Sequence, residues 1–172
     1  MTRRVLVTGA RAPVSLEVAR HLHALGCEVT LADSVRLPSS RWSRAVHRYV
    51  RLPRPVDDPR GYAQALGRAA EETNADLIVP TCEELYYLAR HRDALPCPLL
   101  SEPLERRVQW HDKLRFPVWV EQNVGDEHVR VPATVALAAG ARFTDEQLSA
   151  RVFKPVYSRF AAFAYVGPSQ QE

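Results

Sequence analysis

The sequence predicts an α/β protein: a small parallel-sheet layer domain, followed by an incomplete α+β segment. Short apolar runs rich in β-branched residues, such as Val5, Leu6 and Val7 or Leu77, Ile78 and Val79, alternate with stretches of helical periodicity. That alternation is the mark of strands buried on both faces and crossed over by helices. Helix starts are marked by Pro13, Pro59 and Pro103, each suited to a first turn because its missing N–H is an orphan there anyway. Beyond Trp110 the alternation gives way to Pro-, Gly- and Asn-interrupted sequence, which places a domain boundary at 110/111 and two regions, 1–110 and 111–172.

In chain order, residues 5–7 read as a central strand, broken by Thr8-Gly9-Ala10. Leu16, Val18, Ala19, Leu22 and Leu25 then recur at helical spacing, and Gly26 stops that helix as a C′ residue. Residues 28–32 form the second strand with Asp33 at its carboxyl end, completing a βαβ unit whose crossover is right-handed almost by default. A basic stretch follows, in which Arg41, Arg44 and Arg48 fall on one helical face, and residues 46–50 are expected as a third strand. Asp57 or Asp58 caps the next helix, whose stripe is Tyr62, Leu66, Ala69 and Ala70. Leu77–Val79 is a fourth strand stopped by Pro80, and Thr81-Cys82-Glu83-Glu84 opens a helix of Leu85, Tyr86, Leu88 and Ala89. Residues 98–100 are a last short strand, and Pro103 starts a helix reaching Trp110.

Composition narrows the classes. A chain of 172 residues, 46% apolar and 25% charged, builds a real core without staples. No run approaches a membrane span, and no apolar signal-peptide core follows Arg3-Arg4, so a cytoplasmic protein without a membrane partner is expected. Cys27, Cys82 and Cys97 are scattered and share no ligand-like spacing with the six histidines, which argues against zinc and for a reducing compartment. The arginines at 36, 41, 44, 48, 51 and 54 are followed at once by Asp57 and Asp58, so a solvated face or partner contact is expected there rather than a nucleic-acid surface. Of the 23 basic side chains only Lys113 and Lys154 are lysine. Where arginine is used almost everywhere, the two exceptions point to sites that want a compact, flexible ammonium.

Two regions carry candidate chemistry. In an open parallel sheet, ligands bind beyond the carboxyl ends of the strands, where loop amides and a helix N-terminus meet an anion. Gly9, Ala10 and Arg11 occupy that place, with Asp33 where a ribose-binding carboxylate would stand. The dinucleotide fingerprint wants further glycines where Arg11, Ala12 and Val14 lie, so Gly9 either serves a tight turn or joins Arg11 in an anion site. Glu83 and Glu84, at another strand end, either meet a cationic substrate group or complement a helix N-terminus.

The second region, residues 111–172, opens with His111-Asp112-Lys113, is interrupted early by Pro117 and carries the loop Asn123-Val124-Gly125-Asp126. Residues 131–135 are extended, Thr144 and Gln147 spell a capping box, and residues 151–156 form a strand ending on Lys154-Pro155. A polar, aromatic turn at 157–160 and an apolar strand at 161–166 close it.

Taken in order, residues 5–13 (VLVTGARAP), 80–84 (PTCEE), 111–113 (HDK) and 153–160 (FKPVYSRF) resemble the ATP-grasp superfamily. The resemblance is specifically to carboxylate–amine ligases that begin with a Rossmann-like pre-ATP-grasp domain. It implies an N-terminal fragment: a pre-ATP-grasp domain plus the start of the ATP-binding domain. By the same resemblance Lys113 reaches the nucleotide phosphates, Lys154 the α-phosphate and adenine side, and Tyr157, Ser158 and Arg159 begin the turn that covers the phosphates. Gly9, Ala10, Arg11, Glu83 and Glu84 would shape the substrate site. The parent would use ATP and Mg²⁺ to join a small-molecule carboxylate to an amine through an acyl phosphate. The metal ligands are expected beyond this sequence, leaving the fragment inactive by itself. Pro117 is expected to reshape the helix after Lys113. Val152, Phe153, Phe160, Phe163 and Tyr165 are expected to be partly exposed, or covered by a second copy in a homodimer. The alternatives are an NAD(P)-binding Rossmann oxidoreductase or epimerase-like domain, and a stand-alone binding module.

Overall fold

The computed structural model describes residues 2–158 and 163–167, divided into two compact units, Met1–Leu104 and Glu105–Glu172. Arg159 and Phe160, named above, lie outside the described residues.

The first unit is a parallel sheet in the order β3-β2-β1-β4, built from β1 (Arg4–Thr8), β2 (Glu28–Asp33), β3 (Arg48–Arg51) and β4 (Leu77–Val79). Successive residues of β1 face opposite sides, so Leu6 joins one apolar layer and Val5 and Val7 the other. On one side Leu6 and Ile78 pack with Tyr62, Leu66 and Ala70 of helix α2 (Pro59–Glu72) and with Leu88 of α3 (Glu84–Arg90). On the other, Val5, Val7, Val29 and Leu31 pack against Ala19 of α1 (Pro13–Ala24). Both faces are covered, as the unbroken apolar runs require.

Helix α1 ends as Gly26 predicts. The residue has φ +81°, and Gly26 N–H and Cys27 N–H donate to the carbonyls of His23 (2.9 Å) and Leu22 (3.0 Å), closing a Schellman motif. Leu25, expected in the apolar stripe, falls at the C-cap and is exposed. At the start of α2 the cap is Asp58, whose Oδ1 accepts from Gly61 N–H at 2.9 Å.

Three expectations need correcting here. The third strand begins at Arg48 rather than Val46, because Val46 N–H is spent in a turn to Ser43 O (3.0 Å). Arg41, Arg44 and Arg48 share no helix: a short 3₁₀ turn spans Ser39–Trp42, and Arg48 already lies in β3. Residues 98–100 form a single bridge, Leu99 to Ile78, with Pro98 supplying a carbonyl but no N–H.

From Glu105 onward, in the second unit, α4 (Leu104–His111, its first residue the last of the first unit) is followed by α5 (Arg115–Asn123), α6 (Asp145–Ser149) and an antiparallel pair, β5 (Val152–Phe153) with β6 (Tyr165–Val166). Pro117 does not break α5. It stands in the helix's first turn, where no intrahelical N–H is needed, and α5 runs on to Asn123. Thr144 Oγ1 and the Gln147 side chain complete the capping box of α6. Both final strands are shorter than expected. Pro155 has no N–H for a ladder, and Phe163 at φ +58° turns the chain before β6. Residues 131–135 belong to no ladder. Val152, Phe163 and Tyr165 are exposed and Phe153 is half-buried.

Candidate functional site

In the first unit, the carboxyl ends of β1 and β4 meet at Gly9, with the end of β2 next to them at Arg11. The Gly9 φ of +78° suits glycine, and a Cβ there would stand 2.4 Å from Thr81 Oγ1, so close approach demands glycine as well. Thr81 Oγ1 donates to Thr8 O at 2.8 Å. Buried Glu84 ties the same ends together: its Oε1 accepts from Thr8 Oγ1 (2.6 Å), Cys82 N–H (3.1 Å) and Thr81 N–H (3.2 Å). The Tyr62 phenol is buried close to Thr8, Glu84 and Asp33, and burial pushes its pKa far up, so it stays protonated. Ala10 is buried and its carbonyl accepts from Ser40 Oγ at 2.6 Å.

Arg11 and Asp33 face each other. Asp33 Oδ2 accepts from Arg11 N–H (2.8 Å) and Nε–H (3.1 Å), while Oδ1 accepts from the Arg11 Nη2 group, from Ser34 N–H (2.6 Å) and from Val35 N–H (3.3 Å). Burial alone would raise the Asp33 pKa, but these donors outweigh it and hold the carboxyl below its usual range. The Asp33 hydrogen bond raises Arg11 in return. The five predicted residues of this mouth are therefore differently placed. Gly9 and Glu84 meet, Arg11 is clamped to Asp33, Ala10 is buried, and Glu83 sits half-buried at the N-cap of α3.

In the second unit the charge of one lysine is felt by the other. Lys113 is half-buried, and its Nζ donates to the carbonyls of Ser158 (2.9 Å) and Val156 (3.2 Å). Burial lowers the Lys113 pKa, and the positive charge of Lys154 lowers it further. Lys154 is exposed, at the end of β5. Tyr157 OH donates to Asp112 Oδ2 at 2.9 Å, and that bond raises the phenol's pKa. Asp112 Oδ1 accepts from Leu114 N–H (2.8 Å) and Arg115 N–H (3.0 Å); such donors hold its pKa down against the effect of burial. Two ammoniums whose charges are felt by one another, one of them held on a backbone turn, make this region attractive to an anion with several oxygens.

Reading the sequence left Thr8, Thr81, Ser40 and Tyr62 out of the first site and Asp112 out of the second. Their partners lie 30 to 76 residues away in the cases of Ser40, Asp112, Thr81 and Thr8. No spacing rule reaches so far.

No family model and no curated protein matches the sequence. Solved structures do match in fold. An L-amino acid ligase from Bacillus licheniformis is similar over 71% of this chain and 30% of its own, with 20% identity and a TM-score of 0.55. An N5-carboxyaminoimidazole synthetase from Staphylococcus aureus, complexed with ADP, is similar over 71% of this chain and 30% of its own, with 12% identity and a TM-score of 0.52. The biotin carboxylase domain of a thermophilic 2-oxoglutarate carboxylase, bound to ADP without magnesium, is similar over 87% of this chain and 32% of its own, at 20% identity and TM-score 0.53. The chain thus spans about a third of the length of these structures and shares the fold of the matching part of each.

Proposed function

We propose that this chain furnishes the opening part of an ATP-dependent carboxylate–amine ligase, and that Lys113 and Lys154 receive the nucleotide. One observation carries the reading. The chain uses lysine only twice, 41 positions apart, and Lys113, whose pKa burial lowers, is lowered further by the positive charge of Lys154. Holding like charges together costs free energy that an anion between them offsets. Support also comes from two fold relatives that were solved with ADP.

The residues fit a polyphosphate. Lysine serves phosphate oxygens as a point charge, which explains its survival in an arginine-rich chain. A magnesium ion wants an array of hard oxygen ligands. Among the described residues no group of three or more His, Cys, Asp or Glu is placed to hold a metal. In this reading the metal ligands lie outside the described residues, and this chain by itself does not turn over. In the complete reaction a carboxylate oxygen attacks the γ-phosphorus and releases ADP. The amine then attacks the acyl carbon, loses a proton and expels phosphate. Substrate contacts fall to the mouth at Gly9, Ala10 and Arg11 with Glu83 and Glu84, and the enzyme works in the cytoplasm.

The test is Lys154→Met in the longer enzyme that carries this chain, which keeps length and removes charge. Loss of one charge-assisted phosphate contact is expected to weaken ATP roughly ten- to a hundred-fold by calorimetry. Lys154→Arg should recover little, since a planar fork does not replace a compact ammonium. Unchanged ATP affinity and turnover in Lys154→Met would remove the reading.

A further inference from the structure

The segment between α4 and α5 does more than present Lys113. Asp112 is only 5% exposed, and its two carboxylate oxygens point to different tasks. Oδ1 accepts from Leu114 N–H and Arg115 N–H and so fixes the start of α5. Oδ2 receives Tyr157 OH at 2.9 Å, with Arg115 Nε 3.6 Å away. Lys113, the next residue, grips the backbone on either side of that same tyrosine: its Nζ takes the carbonyls of Val156 and Ser158, and its N–H donates to Val156 O at 3.3 Å. The His111 ring lies 5.7 Å from the Tyr157 ring. Residues 111–113 thus clasp residues 156–158 through a side-chain bond, side-chain-to-carbonyl bonds and a backbone bond. Pro155 stiffens the two-residue path from this clasp back to Lys154.

We infer that Asp112 and Tyr157 form a latch that fixes Lys113 on the 156–158 backbone and so sets the spacing of the two ammonium groups before an anion arrives. Asp112 and Tyr157 are positioning residues, acting through Lys113. That the anion is a nucleotide phosphate rests on the function proposed above; the latch does not. The physical gain is preorganisation. A lysine loses much rotamer freedom on ordering, and a site that has already ordered it binds more tightly than one that orders it on contact. Tyr157 suits the task because half its surface stays in solvent, so its ring contributes little core and its hydroxyl is the working part.

The scarcity of lysine makes the test direct, since acetylation of the intact chain with an amine-reactive ester reports Lys113 and Lys154 separately by peptide mass spectrometry. In the wild type Lys113 should react more slowly than exposed Lys154. Tyr157→Phe removes only the hydroxyl and should raise the Lys113 rate roughly three- to ten-fold, the factor one hydrogen bond is worth, while Lys154 changes little. Asp112→Asn keeps an oxygen for the α5 cap but removes the charged acceptor, and should act in the same direction. In the longer enzyme, Tyr157→Phe should need several-fold more ATP to protect both lysines from the reagent. Equal Lys113 rates in the wild type and both variants would overturn the latch. Faster Lys113 labelling in the variants, with no protection of either wild-type lysine by ATP, would uphold the latch and overturn the nucleotide reading.

Discussion

At the scale of single residues, Asp33 is where chemistry and packing compete for one carboxylate. It ends a strand where a ribose ligand would stand, yet six donors from Arg11, Ser34 and Val35 occupy it. Its folded pKa is depressed, so its contribution is fully present above the ordinary carboxylate range and is lost as pH falls through the lower, folded value. Asp33→Asn is therefore expected to cost about 1–3 kcal/mol in urea unfolding at neutral pH. The gap between variant and wild type should begin to narrow below about pH 4 and close only below the lower, folded value. A gap that did not change with pH would mean that the charge of Asp33 stabilises nothing. The sequence placed Asp33 at its strand end but could not separate the two roles. Ribose binding and pairing with Arg11 call for the same residue at the same position, and the partner lies 22 residues away.

At the scale of elements, what could be read was what depends on neighbours in sequence. The strands at 5–7 and 77–79 declared themselves as apolar runs, that at 28–32 as a short β-branched stretch after Gly26, and the caps at Asp58 and Thr144 as local hydrogen-bonding patterns. What depended on remote pairing could not. The length of β5 is set by β6, and the clasp on Tyr157 by a carboxylate 45 residues earlier. Pro117 has two meanings in a sequence, a breaker inside a helix but an ordinary residue of a first turn, and the start of α5 that decides between them is fixed by Asp112 rather than by any periodicity. Pro117→Ala should accordingly shift stability by less than about 1 kcal/mol. Val120→Pro, in the same helix but past its first turn and at a buried position, should cost about 3 kcal/mol or more. Far-ultraviolet dichroism with urea melts checks both, and equal effects of the two substitutions would contradict this account.

At the scale of the whole molecule, the two units rest on unequal cores. The first has two apolar layers on a covered parallel sheet, whereas the second leaves Phe116 on α5 exposed, together with Val152, Phe163 and Tyr165 in or beside a pair of two-residue strands. Amide exchange should be slower in β1, β2 and β4 than in α5, β5 and β6 by roughly a hundred-fold or more, a gap of about 3 kcal/mol in opening free energy. Uniform protection across both units would contradict it. The outermost strand of the sheet also bears on how the protein behaves in a crowd. Strand β3 is four residues long, begins and ends with exposed arginines at 48 and 51, and among the described residues pairs only with β2. An open strand edge invites another strand to add to it. A second copy approaching β3 edge to edge would bring arginine against arginine while stripping water from both. Arg48 is partly answered by Glu72 at 3.2 Å, so Arg51 carries most of this guard, and the sheet is expected to resist growing into a fibre at that border.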